Sequence, residues 1–193
     1  SGNTWTCAVA TNNADSDGSM TFSIAYTDIG GTAGVADTTV DDGSSVTIDN
    51  THPTSTSAVL AVGGSGNGNN GDSMTLTLNP SEDVSAPTCT FTSGGSAMAN
   101  TVSYSTTGDD SHVATITIAD GDTDGAVAFS CTYSDLAGNA IATAITTATS
   151  GAVTVDNTHP TLTAVGIAVD NTGNANNGDD ITLTLTASEA IGT

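Results

Sequence analysis

The chain contains no lysine and no arginine in 193 residues, against 21 aspartates and glutamates, so its formal charge is −21. An ordinary soluble domain is about 25% charged with both signs present. The missing cations exclude whole classes of function. A phosphate clamp, counterion-releasing contacts with nucleic acid and an electrostatic hold on anionic lipid all need basic side chains. Schiff-base lysine chemistry and kinase-like or P-loop phosphoryl transfer are excluded with them. No carboxylate here can be neutralised by a basic residue, so each must be solvated, hydrogen-bonded or bound to a metal cation. Long apolar runs are also lacking: none approaches the roughly 18 residues of a membrane span, which argues against membrane insertion. Ser1 does not open a signal-peptide pattern, so the leader of a secreted protein would lie outside this sequence.

Low hydrophobicity with high net charge is the composition of a disordered chain, but the order of the residues argues for a folded one. Met74-Thr75-Leu76-Thr77-Leu78 and Ile181-Thr182-Leu183-Thr184-Leu185 alternate apolar and polar side chains. That period of two is what half-buried antiparallel strands require. No apolar periodicity of helical spacing appears, so the expected class is all-β.

An internal repeat organises the chain. Val46-Thr47-Ile48-Asp49-Asn50-Thr51-His52-Pro53-Thr54 recurs as Val153-Thr154-Val155-Asp156-Asn157-Thr158-His159-Pro160-Thr161, which sets a sequence period of 107. Asn69-Asn70-Gly71-Asp72, Ser81-Glu82, Phe22, Tyr26 and Asp28 have partners in the same register, in Asn176-Asn177-Gly178-Asp179, Ser188-Glu189, Phe129, Tyr133 and Asp135. A period near 100 with short strands and Gly/Asn/Asp turns is the size of one β-sandwich in a tandem array. Residues 51–160 then form a complete unit, 1–50 the C-terminal half of a preceding one and 161–193 the N-terminal half of a following one. Strands are expected near 57–62, 73–79, 88–92, 100–105, 112–118, 126–133 and 151–156, a seven-stranded Greek-key sandwich. Its inward residues would be Leu60, Val62, Met74, Leu76, Leu78, Cys89, Phe91, Ala114, Ile116, Ile118, Val127, Phe129, Cys131, Tyr133, Val153 and Val155. Two readings of the half units stand side by side: a segment cut from a longer covalent array, or a subunit whose front half is completed by the back half of an identical chain through strand complementation.

The linker Asp-Asn-Thr-x-Pro-Thr, the Asn-Gly-Asp before a Thr/Leu strand, Ser-Glu after it, Asp124-Gly125-Ala126-Val127-Ala128-Phe129, and Tyr133-Ser134-Asp135-Leu136-Ala137-Gly138-Asn139 together resemble the Ig-like tandem repeats of large secreted adhesins and surface fibres of bacteria and archaea. The resemblance covers essentially the whole chain; His52 and His159 depart from it, standing where a small residue is expected. It implies an extracellular, cell-surface stalk or fibre with a structural role in adhesion, no catalysis, and neighbouring repeats or identical chains as partners.

In such a sandwich the loop between the fifth and sixth strands and the loop between the first and second lie beside the exit linker. Asp120, Asp122 and Asp124 occupy the former, Asp72 the latter, and Asp156 and Asn157 the linker, with Glu189 approaching from the following unit. The preceding junction repeats the plan with Asp15, Asp17, Asp49 and Asn50 facing Glu82. Gathered oxygen ligands without a neutralising base suit Ca²⁺, which takes six to eight of them, and the layout resembles the calcium-binding junctions of cadherins. The competing reading is that these are turn residues with a solvated charge; for Asp28, Asp135 and the Asn-Gly-Asp turns that reading is preferred.

Cys89 and Cys131 share the inward phase of neighbouring strands, so a disulfide is expected within the complete unit, in keeping with an oxidising compartment. In the preceding half Ile24 replaces the second cysteine, leaving Cys7 to pair with a cysteine in strands outside this sequence or in another chain, or to remain a buried thiol. His52, His112 and His159 are isolated and lack the close His or Cys partners of a zinc site. No Gly-x-Ser-x-Gly elbow stands between a strand and a helix; Gly63-Gly64-Ser65-Gly66 falls in a Gly/Asn loop. No enzyme is expected. A second functional class is an adhesive module for carbohydrate or a host protein, for which Trp5, Tyr26, Tyr104 and Tyr133 are the only aromatic platforms apart from phenylalanine; Trp5 is in the inward phase of its strand. No Asn-x-Ser/Thr sequon is present, and without Lys or Arg there is no trypsin site.

Overall fold

A computed structural model describes residues 3–63, 66–108, 110–169 and 173–191. Gly64 and Ser65 of the glycine-rich loop lie outside the described residues. Among the described residues there are thirteen strands: β1 (Gly18–Ser19), β2 (Thr47–Ile48), β3 (Ser55–Val62), β4 (Asn67–Gly68), β5 (Ser73–Pro80), β6 (Thr88–Ser93), β7 (Ser96–Ala97), β8 (Ser103–Thr107), β9 (Ser111–Thr117), β10 (Gly125–Thr132), β11 (Thr154–Val155), β12 (Leu162–Val169) and β13 (Ile181–Ala187). There is no helix among the described residues, so the chain is all-β.

Strands β3 to β11 build two sheets, ordered β3-β5-β9-β8 and β4-β11-β10-β6-β7. One core joins them, as in a β-sandwich. Leu60, Leu76, Leu78 and Ile116 from the first sheet meet Phe91, Phe129, Cys131 and Val155 from the second. Alternation decides which side chains enter it. In β5 Met74, Leu76 and Leu78 are fully buried, while the intervening threonines lie on the other face of the sheet. Of the inward residues expected from sequence, only Val127 is not buried; it packs against the core half-exposed. Ala58, Val84 and Met98 join the buried set without having been anticipated.

Three departures from the expected strands have physical causes. The fourth long strand begins at Ser103 rather than near 100, because Asn100 turns its side chain to donate to the Thr117 carbonyl. β4 and β7 are additional two-residue strands, too short to carry a period. Residues 140–150 run irregularly along the sandwich, held by isolated bridges of Ile145 to Cys131 and of Ser150 to Val59.

The flanking segments contain antiparallel pairs β1–β2 and β12–β13. Ala164↔Thr186 to Val169↔Ile181 in β12–β13 follow the register of Ser57↔Asn79 to Val62↔Met74 in β3–β5, one sequence period earlier. Smaller details recur in the same register: the Ser81 hydroxyl accepts from the Thr54 amide, and Ser188 from Thr161. Most of the apolar side chains of these flanks are exposed. Trp5, expected to face a core, is 91% exposed, because the described residues offer it no opposing strand.

Candidate metal centre

The carboxylates gather at one place only among the described residues. Asp49, Glu82 and Asp135 each present an oxygen, all within 4.8 Å of one another. Asp49 directly follows β2, Glu82 follows β5, and Asp135 lies in the turn after β10. That turn explains why Asp135 is only 4% exposed. Its Oδ1 accepts the amides of Gly138 (2.7 Å) and Asn139 (2.8 Å), and its Oδ2 accepts Asn139 Nδ2 (2.8 Å). Asn139 Nδ2 also donates to the Asp49 carbonyl at 2.9 Å. The His52 ring nitrogen Nδ1 is 2.7 Å from the Ala140 carbonyl and donates to it. The Asp49–His52 segment is therefore fixed to the turn that carries Asp135.

Electrostatics at the cluster are unfavourable to three bare carboxylates. Burial, then the negative charges of Asp49, Asp135, Asp17 and Asp83, push the Glu82 carboxyl above its ordinary value. Burial acts the same way on Asp135, but hydrogen bonds from Asn139 and Gly138 outweigh it and hold that carboxyl down. The result is an ionised, anchored Asp135 beside a Glu82 that favours a proton or a cation.

Most of the remaining acidic residues expected at the junctions accept hydrogen bonds within the chain. Asp17 Oδ1 accepts the Asn50 amide at 2.7 Å, and its Oδ2 accepts the Thr51 hydroxyl. Asp124 does the same for Asn157 and Thr158. Both carboxyls are held below their ordinary value, first by the threonine hydroxyl and then by the asparagine amide. Asp122, 6% exposed, spends one oxygen on the Ala99 amide and the other on Ala119. It is thus a buried loop lock. Asp15 and Asp72 close turns on the amides of Asn12 and Asn69. Asn50 Nδ2 reaches the Asp15 carbonyl, and Asn157 Nδ2 the carbonyls of Ala119 and Asp122.

At the second linker the loops do lie side by side. Asn69, Asn70, Asp120, Asp156, Asn157 and His159 line a cavity of about 320 Å³. Asp156 accepts the Thr158 amide there, while Asn157 Oδ1 and Glu189 Oε1 are buried without a hydrogen-bond partner. The position one sequence period beyond Asp135 falls after Thr193.

No family model, curated protein or solved structure matches the chain. Cys89 and Cys131 stand opposite each other on β6 and β10 and form a disulfide, whereas Cys7 is a free, exposed thiol. No helix among the described residues is long and apolar enough to cross a membrane. Asp135 closes a turn, as its sequence context predicts, and the same turn brings it beside Asp49 and Glu82; the signal for that approach lay in Asn139, whose amide bonds the aspartate on one side and the linker on the other.

Proposed function

We propose that the chain is a structural segment of an extracellular tandem-repeat fibre or adhesin stalk, built of Ig-like sandwiches and stiffened by Ca²⁺ at its linkers. The observation that carries this reading is the Asp49, Glu82 and Asp135 cluster, because it draws one carboxylate from the chain before residue 51 and two from loops of the sandwich. A cation held there ties the incoming segment to the sandwich, which is the task of a stalk junction.

Other observations support the reading. Among the seven main strands, the first, second, fifth and fourth share one sheet and the third, sixth and seventh the other, the partition of an Ig-like Greek key. The linkers at Asp49–Thr51 and Asp156–Thr158 are docked by the same hydrogen bonds, donated to Asp17 and to Asp124. The disulfide suits an oxidising compartment. Three carboxylates supply the hard oxygens that Ca²⁺ prefers, with water to complete six to eight ligands. Asp135 Oδ2 accepts a single hydrogen bond and keeps a lone pair for the ion.

Calorimetry in millimolar Ca²⁺ and in chelator tests the assignment. Free ion at about 100 times its dissociation constant adds about 2.7 kcal/mol, which raises Tm by roughly 10 °C for a unit of this size. Glu82→Gln abolishes that increment. In chelator the same variant melts no lower than the wild type, because the substitution relieves repulsion among Glu82, Asp49 and Asp135. Identical melts in calcium and chelator would overturn the metal assignment.

A further inference from the structure

The flanking segments carry two apolar faces that the described residues leave uncovered. On β12–β13, Ile167 is 75% exposed and Leu183 60%, whereas their counterparts one sequence period earlier, Leu60 and Leu76, are 4% and 0% exposed. The other face is on residues 4–10, which form no strand, and whose Trp5 and Val9 are open to solvent.

The central sandwich contains the solution to both. There β5 pairs antiparallel with β9, setting Met74 opposite Ile116, Leu76 opposite Ala114 and Leu78 opposite His112. One period after the first members stand Ile181, Leu183 and Leu185; one period before the second stand Val9, Cys7 and Trp5. We infer that a second copy of this chain docks head-to-tail, its residues 4–10 adding as a strand to β13 with Ile181 opposite Val9, Leu183 opposite Cys7 and Leu185 opposite Trp5.

Strand addition satisfies the backbone groups of residues 4–10 and the free edge of β13 together. Phe22, Ile24 and Val46, exposed on the same N-terminal segment, then cover the β12–β13 face as Phe129, Cys131 and Val153 cover β3–β5. A specific interface of this kind needs about 1,000 Å² of buried surface, and the exposed side chains of both segments are what would supply it. With −21 on each copy, screening by salt strengthens it. The docking uses hydrophobic burial and strand pairing, and calcium at Asp49, Glu82 and Asp135 takes no part in it.

Two measurements test the inference. Sedimentation of the wild-type chain under reductant, in chelator, shows species larger than 18.8 kDa that grow with protein concentration and with salt; a single monomer throughout overturns it. In the second, Leu183→Cys is oxidised. Cys7 and the new thiol then face each other as Cys89 and Cys131 do across β6 and β10, and since each copy carries both, non-reducing gels show a ladder beyond the dimer. Thr184→Cys, on the opposite face of β13, gives no such ladder, and Cys7→Ser in the Leu183→Cys background abolishes it. Equal ladders from the two cysteine positions would refute the register.

Discussion

Gly151 has φ +82°, and a Cβ placed there would lie 1.9 Å from the Leu60 carbonyl oxygen. No rotamer relieves a clash between two backbones. Gly151→Ala is therefore expected to cost about 3 kcal/mol or more, seen as a Tm lowered by roughly 10–20 °C. Asp122 and Asp135 show how far single residues were legible. Both stand in Asp-x-Asp or Asp-x-x-Gly contexts that mark turns, and both do close turns. Sequence placed Asp122 beside the linker, where its carbonyl accepts from Asn157, but it could not reveal that the Ala99 amide claims its carboxylate from another loop. For Asp135 the reverse holds: the turn was evident, while its approach to Asp49 depends on contacts between segments far apart in the chain.

The linkers are the elements whose stability depends on ionised carboxylates. Asp17 and Asp124 are held below the ordinary value of 3.8 by hydrogen bonds to Thr51 and Asn50 and to Thr158 and Asn157. A lowered folded value means that the stabilisation is present above the ordinary value and is lost as pH falls through the lower, folded one. Glu82 works in the opposite sense. Its ionised form opposes folding above its ordinary value, and protonation relieves that strain on acidification. Thermal melts between about pH 2 and pH 6 are expected to show an acid decline beginning below pH 3.8, shallower in Asp124→Ala because that variant has already lost the linker contact. The long strands β3, β5, β9 and β10 were readable because alternation of apolar and polar residues is itself the cause of their burial. The stretch 140–150 was not, since bridges to Cys131 and Val59 hold it and nothing in its own sequence does.

At the scale of the whole molecule, β3 enters the central sandwich and β11 leaves it, and the chain at both ends of that unit is held by parallel contacts: Ser150 against Val59, and β11 against β4. How the unit resists being pulled apart follows from this arrangement. Tension applied through residues 51 and 160 slides paired segments lengthwise, so their hydrogen bonds bear the load together and do not peel in succession. Once they yield, the disulfide sets a limit. Cys89 and Cys131 are 42 residues apart, and at about 3.6 Å per residue the bond withholds roughly 150 Å of chain. Single-molecule stretching is expected to give extension steps longer by that amount when both cysteines are replaced by serine. The crosslink thus acts as a tether that caps how far one unit can pay out under load, because the residues between the two cysteines stay out of the stretched path.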